Sequence, residues 1–449
     1  MEQITLTQIL EARDRRAENQ RRLRLLHDCP LISFTMNIPG PVKNSPLIRR
    51  AFYVGLERLQ GILDQEGLKP LDPLLTDADT GCEYLCAVQG EAPRLKTLCE
   101  TIEDREPLGR LFDMDVLDRN GEKLSRREQR GCLVCGALGK GCASRRLHSV
   151  EALQQAVKQR MEIGLLAVDA ERIGTLATEA LLEEVNTTPK PGLVDRNNTG
   201  AHQDMDLETF YRSTQALRAY WPACFRTGAK TAREAPEETF ARLRALGLAA
   251  ERKMLAATGG VNTHKGAIFL LGTVCGAIGR LWSAEDPCRD PSAVGEACAL
   301  MSQKAMEADF SQMKARGEGR SFGEQIYLQH GIRGARGELA AGLPSVLRVG
   351  LPQLQAALAR GVDRNDAGAI TLLYLIAQGT DTNLMHRGGM DVAAAAVEEV
   401  RELLNASPYP KLSDMLRLDD RFIQQNLSPG GSADLLAATL FLLDWETKV

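Results

Sequence analysis

The feature that most constrains the fold of this chain is the loss of strand patterning after Ser149. From there to the C terminus, Ala-, Leu- and Glu-rich segments repeat at helical spacing, separated by Gly, Pro and Asn. Apolar residues at this spacing predict amphipathic helices, and a long series of helices predicts an all-α domain. The segments are 150–185, 207–229, 237–257, 266–283, 291–315, 353–361, 366–378, 390–405 and 433–444.

The first 150 residues mix helix and strand patterns, which is typical of an α+β domain. Residues 6–26 have helical periodicity, and short β-prone runs lie at 31–36, 84–88 and 110–117. The sequence therefore predicts a multidomain protein whose boundary falls near 148–165, along a helix. The predicted domains are an α+β domain at 1–160 and an all-α domain at 161–449.

Composition narrows the class of protein further. The net charge of -4 gives no basic field for nucleic acid. The first 24 residues are charged and polar, unlike a secretory signal, and the longest uncharged apolar stretch, residues 266–279, is shorter than the ~20 residues of a membrane span. We expect a cytoplasmic protein with no membrane or nucleic-acid partner, whose eleven cysteines are thiols unless a metal holds some of them.

Three polar segments interrupt the helical region. Residues 188–206 read TPKPGLVDRNNTGAHQDMD, a composition that fits neither a packed helix nor a strand. Long loops within compact domains are usually functional. The segments 259–266 (GGVNTHKG) and 381–389 (DTNLMHRGG) repeat the same residue types, and a Gly-rich segment at 426–434 precedes the last helix. We therefore predict one polar site assembled from three loops.

The side chains of these loops suit a polyphosphate and its metal ions. Lysine, arginine and helix N-termini bind phosphate, whereas aspartates bind Mg²⁺ or act as a general base. The alternative is that each loop is an ordinary turn with left-handed glycines. The candidate residues are Lys190, Asp195, His202, Asp204 and Asp206 in the first loop, Gly259, Gly260, Asn262, His264 and Lys265 in the second, and Asp381, Asn383 and Arg387 in the third.

Two aspartates in the N-terminal region form a candidate metal site. Asp113 and Asp115 alternate with Phe112, Met114 and Val116, so a strand would put both carboxylates on one face. Neighbouring carboxylates repel each other unless a cation lies between them, and Mg²⁺ shared with substrate phosphates fits. The alternative is an edge strand with two solvated aspartates.

A helix start near residue 45 is a candidate phosphate contact. Ser45 is a good N-cap and Pro46 suits the first helical position. Lys43, Arg49 and Arg50 cluster there, where free N–H groups also favour anions. The alternative is a capped surface helix with a solvated basic turn.

A cysteine-rich segment has the spacing of metal ligands. Cys132, Cys135, Cys142 and His148 offer three thiolates and one imidazole, a set that can close a tetrahedral zinc site. The CxxC half has ordinary zinc spacing and the second half is looser. The alternative is a Gly-rich turn with reduced surface cysteines.

The C-terminal region, about 165–445, resembles triphosphoribosyl-dephospho-CoA synthase, which makes the prosthetic group of citrate lyase. The matching motifs are TPKPGLVD (188–195), GAHQDMD (200–206), GGVNTHKG (259–266), the DTN and RGG of 381–389, and SPGGSADLLA (428–437). The resemblance implies that ATP and 3′-dephospho-CoA are joined with release of adenine. The resemblance does not assign roles to single residues. Our hypothesis for this chemistry is that His202 or His264 protonates adenine and that Asp204 and Asp206 bind Mg²⁺ or act as base, with Asp195 and Asp381 as the next candidates.

The N-terminal region, about 5–160, resembles apo-citrate lyase phosphoribosyl-dephospho-CoA transferase. It matches through GPVKNSPLIRR (40–50), residues 107–118 and the cysteine-rich tail, although Glu106 stands where the family typically has histidine. The strand of Asp113 and Asp115 is similar to the DxD strand of nucleotidyltransferases, without the usual upstream Gly-Ser loop. The resemblance adds Arg110 to the phosphate contacts.

Together the two resemblances imply a fused, bifunctional enzyme. Its second reaction would transfer the phosphoribosyl-dephospho-CoA group to a serine of the apo acyl carrier (γ) subunit of citrate lyase, with release of pyrophosphate. Two alternatives remain open: the equivalent malonate decarboxylase pathway, and a degenerate scaffold that binds nucleotide or CoA. The completeness of the polar loops argues against the scaffold.

Overall fold

The computed structural model describes residues 4–138, 142, 145 and 147–448. The chain divides into two compact units. The first contains the residues up to Asp169 together with Ser283–Asp286, and the second contains Ala170–Trp282 and the residues from Pro287 on. The division falls inside one long helix, Val150–Asn186.

The first unit is built on a four-stranded antiparallel sheet. The strands lie in the order β2-β3-β1-β4. They are β1 (Leu31–Met36), β2 (Pro70–Ala78), β3 (Gly81–Val88) and β4 (Phe112–Leu117), and the helices are α1 (Leu6–His27), α2 (Pro46–Gln65), α3 (Ala92–Arg105) and α4 (Val150–Asn186). The sequence did not predict β2, whose prolines and aspartates are unfavourable in central strands but are tolerated on a sheet edge.

Aromatic side chains fill the core between the sheet and α2. Phe34 of β1 stacks on Phe52 of α2 with ring centroids 4.7 Å apart, and Phe112 of β4 meets Phe34 edge to face. Gly55 permits this contact, because a Cβ there would lie 2.6 Å from the Phe34 ring. The packing fixes α2 against the strand that carries the two predicted metal-binding aspartates.

The second unit is helical throughout its described residues. Its helices are α5 (Leu207–Leu217), α6 (Tyr220–Lys230), α7 (Pro236–Thr258), α8 (Lys265–Arg280), α9 (Pro291–Arg316), α10 (Phe322–His330), α11 (Gly334–Ala340), α12 (Leu351–Ala359), α13 (Arg364–Ile376), α14 (Thr382–Ala406), α15 (Leu412–Gln424) and α16 (Gly430–Lys448). A π-helical turn, Val346–Gly350, precedes α12. No described helix is long and apolar enough to cross a membrane.

Helix α8 is the centre of this unit. Almost every residue from Ala267 to Gly279 is buried, and α6, α7, α9 and α16 pack around it. The contact with α6 is very close, because a Cβ on Gly228 would lie 1.9 Å from the Gly276 carbonyl oxygen. The central helix therefore presents its first residues, Lys265 and Gly266, from a fixed position.

Five segments of the second unit differ from the sequence-based prediction. The predicted helix 207–229 is two helices, α5 and α6, and helices α10, α11 and α15 were not predicted. The predicted third loop, 381–389, is wrong: Asp381 caps α14, residues 382–388 are helical, and the left-handed Gly389 (φ 76°) breaks the helix. Asp, Asn and Gly are common both in loops and at helix ends, which explains the error.

Candidate functional site

A cavity of about 840 Å³ lies in the second unit, where the predicted polar segments meet. The starts of α8, α14 and α16 converge on it, so three positive helix ends face one space. The predicted residues that line it are Lys190, His202, Asp204, Asn262, His264, Lys265, Asp381, Asn383 and Arg387. Asp195, Asp206, Gly259 and Gly260 lie outside this lining.

Two of the predicted aspartates shape the backbone instead. The buried Asp195 accepts hydrogen bonds from the backbone N–H groups of Lys190 (2.9 Å) and Asn197 (2.7 Å) within the first loop. Asp206 caps α5 by accepting from the N–H and the hydroxyl of Thr209, which lowers the pKa of this carboxyl. The structure therefore does not bring Asp204 and Asp206 together at the cavity.

Asp381 ties two helix starts together. Its carboxylate accepts from the backbone N–H groups of Asn383 (2.9 Å) and Leu384 (3.1 Å) at the start of α14. It also accepts from the N–H (2.6 Å) and the hydroxyl (2.9 Å) of Ser432 in α16. These hydrogen bonds hold the wall of the cavity in place. Burial raises the pKa of Asp381.

Lys190 forms a buried ion pair with Glu184. The Lys190 Nζ donates to Glu184 Oε1 (2.5 Å) and to the Glu184 carbonyl oxygen (2.8 Å). This ion pair lines the cavity. Glu184 lies near the end of α4 and was not predicted, because nothing in its local sequence distinguishes it from other helical glutamates. The Lys190 ammonium is therefore engaged by the Glu184 carboxylate rather than available to a ligand.

Asp434 also lines the cavity; it lies within the motif of residues 428–437 but was not among the predicted site residues. It lies in the first turns of α16 against Gly266, where a Cβ would lie 1.8 Å from Asp434 Oδ2. Burial, together with the negative charges of Glu184 and Asp381, raises the pKa of Asp434 well above its usual range. A carboxyl group with this property in a cavity is a candidate acid–base group.

His264 presents one ring nitrogen without a partner. Its Nδ1 lies 2.6 Å from the Ser213 hydroxyl, which Thr263 also contacts, while the buried Nε2 has no hydrogen-bond partner among the described residues. Burial and the nearby Lys190 lower the pKa of His264 to about 3. The ring is therefore neutral at physiological pH, and when Ser213 donates to Nδ1, the Nε2 carries the hydrogen.

His202 is held between two cavity residues. The Arg387 guanidinium donates to Nδ1 (3.2 Å), so the Nε2 hydrogen points to the Ser428 hydroxyl (2.8 Å). Burial and the Arg387 charge lower the pKa of His202 to about 4. The neighbouring Asp204 is 63% exposed, with Oδ1 3.8 Å from His202 Nδ1. Asp204 is thus the accessible carboxylate at this end of the cavity.

The cations of the cavity differ in how firmly they are held. Arg387 also donates to the Ala201 carbonyl oxygen (2.6 Å), whereas Lys265 is 61% exposed and 3.3 Å from Glu251. Lys265 can turn toward an anion by leaving this exposed ion pair, whereas Arg387 presents a fixed charge.

In the first unit, the two aspartates of β4 share one face, as predicted. Phe112, Met114 and Val116 are buried, whereas Asp113 and Asp115 alternate with them on the accessible face. Lys123 pairs with Asp115 at 2.5 Å. Partial burial and the charge of Asp115 raise the pKa of Asp113. This repulsion is what a divalent cation would relieve.

The predicted basic contacts of this unit all have protein partners. Ser45 does cap α2, with Pro46 in its first turn. Lys43 donates to the Ile38 carbonyl oxygen and Arg110 to that of Gly131. Arg49 pairs with Asp77 (2.9 Å) and Arg50 with Asp169 (2.6 Å). Only a rearrangement of these side chains would free them for phosphate.

Two family models match the chain. That of ATP:dephospho-CoA triphosphoribosyl transferase covers residues 170–448, and that of apo-citrate lyase phosphoribosyl-dephospho-CoA transferase covers residues 4–163. Protein CitXG of Haemophilus influenzae is 33% identical over 459 residues, which cover 99% of this chain and 97% of that protein.

Other relatives match about three fifths of the chain. The probable 2-(5''-triphosphoribosyl)-3'-dephosphocoenzyme-A synthase of Citrobacter koseri is 42% identical over 273 residues, which are 60% of this chain and 88% of that protein. The protein of the same description in Vibrio cholerae is 42% identical over 275 residues, or 61% and 87%.

A polar cavity in one unit, a carboxylate-bearing sheet in the other, and these matches define an enzyme of the transferase class. The chain belongs to the family that fuses the two transferases of citrate lyase prosthetic-group biosynthesis, with the halves in the predicted order.

Proposed function

We propose that the second unit joins ATP to 3′-dephospho-CoA, giving 2′-(5″-triphosphoribosyl)-3′-dephospho-CoA and adenine. The observation that carries this proposal is the cavity where Asp434, with its raised pKa, and the unpaired Nε2 of His264 lie among the starts of three helices. The names of the matching family and relatives supply the substrates.

The reaction needs one proton to move from a hydroxyl to a base. The ribose 2′-hydroxyl of dephospho-CoA forms a bond to C1′ of the ATP ribose while the bond from C1′ to adenine breaks. Asp434, as the carboxylate, accepts the hydroxyl proton and passes it through solvent to the departing adenine, which regenerates the carboxylate. A histidine with a pKa of about 3 is not a proton source at neutral pH, so His264 does not protonate adenine. Its neutral ring instead donates a hydrogen bond from Nε2–H to the departing adenine.

The rim of the cavity binds the triphosphate. Lys265 and Arg387 contact its oxygens, and Asn262 and Asn383 supply side-chain amides. Asp204 would hold the Mg²⁺ that accompanies ATP, because it is the accessible carboxylate beside Arg387. Lys190 keeps Glu184 in place, and Asp195, Asp206 and Asp381 act as positioning residues.

We propose that the first unit transfers the phosphoribosyl-dephospho-CoA group to a serine of the apo acyl carrier subunit of citrate lyase. The serine oxygen bonds to the phosphorus next to the ribose as its proton passes to solvent, and the bond from that phosphorus to pyrophosphate breaks. Asp113 and Asp115 would hold Mg²⁺, which would neutralise the phosphate charge. The shared face of the two carboxylates and the raised pKa of Asp113 support this role, in a nucleotidyltransferase-like domain.

A direct assay tests both reactions. The protein is incubated with ATP, dephospho-CoA and Mg²⁺, and adenine is measured by chromatography. Absence of adenine would contradict the first reaction and favour a scaffold that binds nucleotide. Carrier subunits of citrate lyase and of malonate decarboxylase are then added separately, and their intact masses show which one gains the group. We expect the citrate lyase subunit to gain it.

A further inference from the structure

Three cysteines and one histidine of the first unit converge on one point. The ligand atoms of Cys132, Cys135, Cys142 and His148 all lie within 4.8 Å of one another. Cys135 Sγ is 3.5 Å from Cys142 Sγ and 3.3 Å from His148 Nε2. Among the described residues, this is the one set of three or more potential ligands that comes so close.

The separations of Cys135 Sγ from Cys142 Sγ and from His148 Nε2 are close to the edges of a zinc tetrahedron. Zn–S bonds of about 2.3 Å and Zn–N bonds of about 2.0 Å place neighbouring ligand atoms roughly 3.5–3.8 Å apart. The distance between the sulfurs of Cys135 and Cys142 is too long for a disulfide, whose S–S bond is about 2.05 Å. All eleven cysteines are free.

The backbone around the first two cysteines has the turn that such a site needs. The Cys132 N–H donates to the Ala137 carbonyl oxygen (2.8 Å), and the Gly136 N–H donates to that of Cys132 (3.0 Å). The Val134 N–H donates to Cys132 Sγ (3.4 Å). Gly136 has φ +72°, a conformation that glycine adopts without strain. The turn therefore aims both sulfurs to one side.

Arginines anchor this turn to the rest of the unit. Arg110 donates to the Gly131 carbonyl oxygen, and Arg160 of α4 donates to that of Leu133 (3.3 Å). Arg130, the residue before the turn, donates to the Phe112 carbonyl oxygen (2.9 Å) at the start of β4. The turn thus fixes a cation beside the strand that carries Asp113.

We propose that Cys132, Cys135, Cys142 and His148 bind one structural zinc ion. The four protein ligands fill a tetrahedron and leave no position for water or substrate, so the ion holds the chain and takes no part in the chemistry. Zinc links the turn of Cys132 and Cys135 to Cys142 and His148 and keeps Arg130 against β4. Zinc binding can be measured independently of both proposed reactions.

The metal content of the full-length protein tests the site. After expression with added zinc and removal of loose metal, mass spectrometry of the elements should give one zinc per chain. Cys135→Ser and Cys142→Ser should each lose it, while Cys288→Ser, which alters a partly exposed cysteine outside the cluster, should retain it. A zinc-free wild type, or full zinc in Cys142→Ser, would overturn the proposal.

Cobalt gives a second measurement on the unaltered chain, so a variant that fails to fold does not decide the matter. Protein stripped with a chelator and refilled with Co²⁺ should show thiolate-to-cobalt charge transfer and the intense visible bands of a tetrahedral ion. Zn²⁺ should displace the cobalt stoichiometrically. Absence of these bands, or a disulfide between Cys135 and Cys142 in the mass of the unreduced chain, would contradict the site.

Discussion

Aspartates from similar polar, Gly-rich motifs have different structural roles in this chain. Asp195, Asp206 and Asp381 lie in the predicted polar segments but accept backbone hydrogen bonds, as Asx turns and helix caps do. Asp434 lies inside a helix and has the strongly raised pKa. The sequence therefore predicted where the cavity is but not which carboxyl is available in it, because that depends on burial and on neighbouring charges.

Asp434→Asn should remove the proposed base at nearly constant shape. We expect kcat for adenine release to fall by about 10²–10⁴-fold, the usual contribution of a positioned acid–base group. Adenine is measured by chromatography in the purified variant. Asp391→Asn, at an exposed position of α14, is the control and should keep wild-type activity. A fully active Asp434→Asn enzyme would exclude this residue as the base.

The pH dependence should identify the same group. Because Asp434 must be ionised to accept a proton, kcat/KM for adenine release should fall as the pH drops through its raised pKa. His202 and His264, with pKa values of about 4 and about 3, stay neutral above about pH 5 and add no ionisation there. If the residual activity of Asp434→Asn still falls at the same pH as that of the wild type, the ionising group is not Asp434.

At the scale of secondary-structure elements, the packing of α8 against α6 positions the loop of residues 259–266. The contact between α6 and α8 leaves no space for a side chain at Gly228. We expect Gly228→Ala to lower the free energy of unfolding by about 1–3 kcal/mol through overpacking. Gly247→Ala in α7 is the matched control, because its Cβ would lie 3.5 Å or more from its neighbours.

Denaturant unfolding separates the two glycines. The control should be neutral or more stable, by roughly 0.5–1 kcal/mol, because alanine favours helix over glycine. Equal destabilisation by both substitutions would show that the close contact is not what fixes α8.

Periodicity predicted most elements of this fold, and the errors have physical causes. The helices of residues 150–186 and the strands of residues 31–36 and 112–117 follow directly from apolar spacing. β2 was missed because an edge strand tolerates prolines and aspartates, and the start of α14 was taken for a loop because caps and loops share residue types. Glu184 could not be predicted, since its role depends on a partner from the following loop.

At the scale of the whole molecule, the two proposed reactions require two separate active sites. Asp115→Ala should stop carrier modification and leave adenine release within about twofold of wild type, because Asp115 belongs to the first unit and the cavity to the second. Asp64→Asn, an exposed position on α2, serves as the control for this unit. Loss of both activities in a folded Asp115→Ala protein would contradict independent sites.

The most direct test of the central claim combines the two variants. Asp115→Ala is incubated with ATP, dephospho-CoA and Mg²⁺, and its small-molecule product is passed to Asp434→Asn together with the apo carrier subunit. We expect that neither variant alone modifies the carrier from ATP and dephospho-CoA, and that the transferred product restores the full mass increase. A carrier that stays unmodified, while the wild-type chain modifies it, would contradict two reactions in two units of one chain.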